Sequence, residues 1–400
     1  MAAGIRKPDA MSDLPHAHTS VYASSFVDEL AQKEFVQLCI ASVMMSFSTA
    51  HTIVASLAFE RSGFDLHSIG ILLSSMAIPT ILGSLFSGAL IARFGVLLVM
   101  RCAMLCAFVA IGSLTFTHDL FMPALLSRLL WGAGVGLFLP CGIVYAQSRL
   151  SPTRSIYFIS VYSSMMPVTQ AFAPVLGEFM LDHFGVAPMF AVAAAPAGLG
   201  ALVSIGLRPL ARPPHKRGLA MSNAFQQSSF LPVLSLLLAG SIYGYSMAYL
   251  APSIHERGLT LGAFFLPSTL ALLGGRFGGM RILGSMHPRN LVNIGMVLSA
   301  SGLLLVAFAQ NLFVVALAGI LFGGGNSILY PVACSWITQG IPASERGGPI
   351  ALATTAFYFG LYAMPFPQTY MIAAMGYHMT EVVLALIGFA GSAYLILWRK

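Results

Sequence analysis

From Phe35 onward the chain consists of long runs that carry almost no charge, each close to the roughly 20 residues that a helix needs to cross a bilayer. Hydrocarbon offers no water to peptide groups, so a crossing segment must satisfy its own N–H and C=O groups, and a helix does so within one segment. The runs lie near residues 35–59, 68–91, 97–116, 121–146, 156–179 and 187–207, then near 229–251, 263–284, 290–309, 312–337, 350–373 and 380–398. They predict an all-α polytopic membrane protein with twelve transmembrane helices, six on each side of Arg208-Pro-Leu-Ala-Arg-Pro-Pro-His-Lys-Arg217. The prolines and cations of that stretch mark a solvated linker. The first run is longer than the h-region of a cleaved leader, roughly 7–15 residues, so it is expected to stay as a span.

Composition agrees. Hydrophobic residues make up 57% of the 400 and charged residues 8%, whereas a soluble domain carries about 25% charge. A water-covered surface cannot be built from so little, so most of the exterior must face lipid. The net charge of +7 comes from basic residues scattered singly between apolar runs, which gives no patch for nucleic acid. The five cysteines all lie in apolar runs and form no disulfide framework; Cys102 and Cys106 share a helix face without a His or carboxylate beside them.

Four segments follow: a polar tail over 1–33, a first bundle over 34–207, the linker over 208–228 and a second bundle over 229–400. Lysine and arginine resist translocation and mark cytoplasmic loops. With the N-terminus inside, those loops hold Arg93, Arg101, Arg149, Arg154, the linker cations, Arg289 and Arg346, while the opposite loops hold only Arg61 and Arg257. Both termini are then cytoplasmic. The two exceptions sit in matching settings, Phe59-Glu-Arg-Ser-Gly63 and His255-Glu-Arg-Gly258. Further pairs recur at an offset of 191 residues: Gly88 with Gly279, Gly132 with Gly323, Gly134 with Gly325, Pro140 with Pro331 and Pro174 with Pro365. Backbone geometry dictates where glycine and proline fall, so the repeat predicts two pseudo-symmetric six-helix bundles. Repeated halves with a site between them near mid-membrane are the architecture of secondary transporters.

Several stretches carry a resemblance to the major facilitator superfamily. Gly88-Ala-Leu-Ile-Ala-Arg-Phe-Gly95 resembles its G-x-L-a-D-R-x-G-R-R loop through Gly88, Leu90, Arg93 and Gly95, with Ala92 at the acidic position and Val96 and Leu97 at the basic pair. Ser127-Arg-Leu-Leu-Trp-Gly-Ala-Gly-Val-Gly136 is similar to the fourth-span R-x-x-x-G signature, carried by Arg128, Gly132, Gly134 and Gly136. Ala173-Pro-Val-Leu-Gly-Glu178 resembles the fifth-span signature of exporters that exchange solute for proton; Pro174 and Gly177 match, Ala173 and Glu178 depart. Ser344-Glu-Arg-Gly347 fits the loop after the tenth span. The resemblance implies alternating access in a bacterial inner membrane, with a cytoplasmic lock that is either weaker for the loss of the loop acid or built elsewhere.

Within that frame a few polar residues gain meaning. Arg128 lies about 10 Å into its span at 1.5 Å per residue, where an arginine costs at least ~2.5 kcal/mol unless it faces protein or water. Glu178, in the last turn of the fifth span, is expected to pair with it, either as a static weld or as a pair broken by proton or solute; Glu34 and Glu381 are placed at span ends. His51 titrates in the physiological range and is either a third proton-coupling group or a neutral hydrogen-bonded cavity residue. Arg276 and Arg281 share the eighth span, Arg281 near the rim; Arg276 has an anionic solute group or a helix-end carbonyl as partner. The resemblance places Trp131, Gln170, Tyr243, Tyr245, Asn326, Tyr330, Tyr358 and Tyr362, with Met165 and Met166, along the inner helices, where aromatics and methionines suit an adaptable cavity. Each also reads as packing.

Gly323-Gly-Gly325 follows no strand and is no phosphate loop, and His16 and His18 in the tail are not read as metal ligands. No metal and no cofactor is expected. The expected partners are a small organic solute, protons and membrane lipid, with the chain acting as a monomer in proton-coupled efflux. Uptake or facilitated diffusion of an organic anion is the alternative. A polytopic membrane enzyme would need clustered histidines and carboxylates, whereas the histidines here are scattered, and Asp182-His183 is a pair in a short outer loop.

Overall fold

The computed structural model describes residues 33–149, 155–208, 230–279, 286–341 and 347–397. The tail histidines His16 and His18, most of the linker, Arg154, Arg281 and residues 344–346 lie outside the described residues. The described chain is helical throughout. In order come α1 (Lys33–His51), α2 (Ala55–Arg61), α3 (Leu66–Ser74), α4 (Ala77–Phe94), α5 (Val96–Thr117), α6 (Phe121–Arg149), α7 (Ser155–Phe184) and α8 (Val186–Val203). The second half holds α9 (Phe230–Ala248), α10 (Leu250–Glu256), α11 (Gly262–Gly274), α12 (Pro288–Ala307), α13 (Leu312–Ile337), α14 (Gly347–Tyr358) and α15 (Pro365–Leu397).

Eight helical stretches are long and apolar enough to cross a membrane, and the bent pair α1 and α2, turned by 41°, makes a ninth. The stretch Gly348–Leu397 turns at Gly376 (φ 76°) and supplies two crossings. With α7 and the interrupted α11 there are twelve crossings among the described residues. Gly95 (φ 86°) and Gly185 (φ 88°) are the same device as Gly376: one helix ends and the next begins on the following residue. A left-handed φ lets the chain reverse there without the strain a Cβ would bring.

Several crossings are broken, and proline accounts for two of the breaks. Pro79 has no N–H for Ser75 O, and Pro252 none for Ala248 O; α3 ends at Ser74 and α9 at Ala248. The first crossing passes through a 3-10 turn at Thr52–Val54, and the eighth and eleventh through π turns at Gly275–Gly279 and Phe359–Ala363.

Because successive crossings alternate in direction, the turns at 62–65, 118–120, 185, 257–261, 308–311 and 376 share one end, here the Arg61 end; Gly95 marks the other. The glycine repeat shows its purpose in the packing. A Cβ on Gly132 would strike Met76 O and one on Gly136 the Thr80 backbone, both in the second crossing, while one on Gly134 would strike Ala103 O in the third. In the other half Gly323 meets the Ser268 backbone of the eighth crossing and Gly325 meets Gly295 of the ninth. The paired glycines thus seat corresponding helices. Thr80 Oγ1 donates to Gly132 O (3.0 Å), fastening the same contact.

Among the described residues, the hydrogen bonds between the halves run from mid-membrane to the Arg61 end. Tyr243 OH donates to Gln170 Oε1 (2.7 Å), Thr269 Oγ1 to Pro167 O (3.3 Å) and Leu261 N to Glu178 Oε2 (3.2 Å). Gly70 of α3 lies so tightly against Thr369 of α15 that a methyl group would overlap its hydroxyl. Replacing Gly136 with Ala is therefore expected to lower thermal stability of the purified chain by the overpacking cost of about 1–3 kcal/mol. Gly88→Ala, whose Cβ would meet nothing within 4 Å, is expected to be neutral or stabilising. Equal unfolding temperatures for the two would contradict this packing.

Candidate functional site

Arg128 projects from α6 toward the break between α3 and α4. Its Nε donates to Leu72 O (3.1 Å) and its Nη2 to Leu73 O (3.3 Å), and its guanidinium lies over the Trp131 ring at 4.5 Å from the centroid. Only 5% of it is exposed. The two carbonyls belong to the last turn of α3 and have lost their helical donors. A helix C-terminus carries partial negative charge, and the planar fork of an arginine can reach two carbonyls at once. The expected pair with Glu178 is not formed. Glu178, 9% exposed on α7, accepts instead from the Leu261 amide at the start of α11. The physical reason is the break: it presents carbonyls without helical N–H donors next to Arg128, whereas Glu178 faces the opposite half and the amide end of a helix.

His51 ends α1 and is fully buried. Its Nδ1 contacts Phe47 O at 3.3 Å, its ring packs on Phe47, and its Nε2 has no partner among the described residues. A Cβ on Gly177 would meet His51 O, so α7 presses its glycine onto the turn that follows. Pro174 lies one turn earlier in α7. Arg93, at the end of α4, stacks on Phe94 at 5.2 Å.

Aromatic residues of the second half gather opposite Arg128. Tyr358 and Tyr362 are ring neighbours at 6.0 Å, Tyr243 stacks on Phe322 at 6.0 Å, and Tyr330 meets Phe357 edge-on at 5.2 Å while its hydroxyl bonds Thr354 Oγ1 (3.0 Å). Tyr243, Tyr358, Tyr362, Gln170, Met165 and Met166 are half-buried, and Arg276, on the π turn after α11, is half-buried near them. Trp131 is buried, with its indole N–H unpartnered among the described residues. Asn326 reaches Ser299 Oγ (3.3 Å) and Phe322 O (2.9 Å), which ties α13 to α12.

Two sequence expectations need correcting. Tyr245, placed among the cavity candidates, is fully buried and donates to Glu381 Oε1 (3.2 Å). Two residues along a helix point about 200° apart, so Tyr243 and Tyr245 cannot both face the opposite half. Glu381, read as sitting at a span end, is the most buried carboxylate among the described residues at 0% exposure. Arg257 Nη2 bonds its Oε2 at 2.6 Å and Ser253 Oγ its Oε1 at 2.5 Å. The turn at Gly376 folds this acid inward, a geometry that hydropathy alone does not display.

The Arg257–Glu381 pair holds α10 to α15 inside one half. Removing one partner of a buried pair leaves an unmatched charge and costs about 3–5 kcal/mol, whereas replacing both with apolar groups can be neutral. Arg257→Met is therefore expected to be strongly destabilising in thermal unfolding, and Arg257→Met with Glu381→Leu to recover most of the loss. A double variant no more stable than the single one would show that the pair does not act as a unit.

No curated protein matches the sequence. Solved structures do match in fold. A nucleoside transporter, NupG, aligns with TM-score 0.73 at 13% identity over 92% of this chain and 100% of its own. A D-xylose-proton symporter aligns with TM-score 0.73 at 16% identity, covering 92% and 97% of the two chains. A bacterial homolog of the human lysosomal transporter Spinster, in an inward-facing and unoccupied conformation, aligns with TM-score 0.72 at 14% identity, covering 91% and 95%. At such identities the likeness concerns fold. A family model described as Major Facilitator Superfamily matches residues 38–292, more than half of the sequence. With its two glycine-seated bundles, the chain belongs to the Major Facilitator Superfamily of membrane transporters.

Proposed function

We propose that this protein is a secondary carrier that moves a small organic solute across a bacterial inner membrane by alternating access, acting as a monomer. The Gly95 end and both termini lie in the cytoplasm and the Arg61 end outside, an orientation supported by the lysine and arginine bias of the loops. The observation that carries the mechanism is the set of hydrogen bonds between the halves which, among the described residues, lies from mid-membrane to the Arg61 end: Tyr243 to Gln170, Thr269 to Pro167 and Leu261 to Glu178. They hold the Arg61 end shut, and opening it breaks these few bonds while leaving every helix intact.

Proton-coupled efflux is the form of transport that the residues favour. Glu178 is a buried acid on the seam, one residue after the glycine that seats α7 against the His51 turn. A carboxylate accepts an N–H bond more strongly than its protonated form, so a proton on Glu178 loosens the contact to α11. His51, with its buried Nε2, is the second candidate on this path. The half-buried aromatics around Tyr243, Tyr358 and Tyr362 give the solute an apolar, adaptable contact surface. Uptake or facilitated diffusion of an organic anion is the second reading, favoured by Arg276 beside this cluster. Arg128 adds little to it, because two carbonyls and Trp131 already occupy that guanidinium.

Spin labels at positions 183 and 256, one in each half at the Arg61 end, read the closure directly. Glu178→Gln is expected to shift the distance distribution toward longer separations by about tenfold in population ratio, given ~1.5–3 kcal/mol for a charged hydrogen bond, and to remove its dependence on pH. An unchanged distribution would count against the latch. For direction, a panel of radiolabelled solutes in inside-out vesicles with an acidic interior is expected to include one that accumulates. Accumulation driven only by external acid in right-side-out vesicles would favour uptake.

A further inference from the structure

A cavity of about 210 Å³ lies between the halves at the Arg61 end, away from the aromatic cluster around Tyr243. The first half lines it with Ser56, Glu60, Phe64 and Ile69, and the second with Tyr249 and Tyr377 among others. We infer that this cavity binds a small aryl-alkyl ammonium compound, its cationic nitrogen at Glu60 and its ring among Phe64 and Tyr377. The inference does not rest on the transport reading.

Three observations carry it. Ser56 lines the cavity and is only 3% exposed, and its hydroxyl, able to donate or accept, has no partner among the described residues. Native structures rarely leave such a group unsatisfied. Glu60 stands at the exposed rim and forms no ion pair among the described residues. The neighbouring cations are engaged elsewhere: Arg61 donates to Leu181 O and Asp182, and Arg257 to Val306 O and Glu381. The lining therefore holds one carboxylate, the unpartnered Ser56 hydroxyl and two tyrosines amid aliphatic and aromatic carbon, with no basic side chain. An ammonium group finds an opposite charge, an acceptor and the faces of aromatic rings there, whereas an anion meets the Glu60 carboxylate with no basic side chain in the lining to offset it.

The test uses the purified full chain in nanodiscs of zwitterionic lipid and calorimetric titration with 2-phenylethylammonium. The neutral isostere 2-phenylethanol should bind at least about tenfold more weakly, and Glu60→Gln should weaken the ammonium about tenfold. Ser56→Ala should weaken it about threefold. Asp119→Asn removes an acid at the same end outside the cavity and should leave the affinity within about twofold. Equal binding of amine and alcohol, an unaffected Glu60→Gln variant, a loss in Asp119→Asn as large as in Glu60→Gln, or no binding of the amine would each overturn the assignment.

Discussion

A backbone carbonyl inside a membrane must find its donor within the protein, and this protein breaks its helices often enough to make that demand visible. Most described arginines answer it. Arg128 caps the end of α3, Arg101 donates to Ser204 O after α8 (2.9 Å), Arg61 to Leu181 O near the end of α7 (2.9 Å), and Arg257 and Arg289 to Val306 O and Leu395 O in the last turns of α12 and α15. His378 joins them at Ala307 O (2.7 Å). A cation at the negative end of a helix dipole satisfies the carbonyls and gains from the field. Few charges remain in the chain, and much of their work is to cap helix ends, Arg128 at a break within a crossing and the others at its margins.

That assignment separates two kinds of buried polar group. Caps and pairs such as Arg128 on α3, or Glu381 with Arg257, lie within one half and keep a broken crossing rigid. Gln170, Glu178 and Thr269 bond across the seam, where they can part without exposing a helix interior. The glycines make the distinction workable. With no side-chain bulk at Gly132, Gly136, Gly323 and Gly325, helices of each half seat backbone to backbone, so that the packing within a half does not depend on the bonds across the seam.

The sequence made the crossings legible because apolar length is a strong signal, and it made the repeat legible because glycine and proline keep their geometric duties. The pairing of Gly132 with the second crossing and Gly323 with the eighth follows from that repeat. Partners of buried charges were harder to read. Arg128 looked for an acid because the sequence shows side chains, whereas its partners are backbone carbonyls. The available clue was Pro79, which withholds a donor four residues back and announces a break. Tyr245 was misassigned because hydropathy does not say which face of α9 meets the other half. Glu381 was missed because a span edge counted by hydropathy can be folded inward by a glycine turn.

The central claim is that Arg128 closes the α3 break and is not the counter-ion of an acid. Hydrogen–deuterium exchange on the purified chain with Arg128→Met tests it most directly. The account predicts faster amide exchange confined to the stretch around 72–80, with the Glu178 region of α7 unchanged. Protection lost around Glu178 while the 72–80 stretch keeps its wild-type exchange would contradict it.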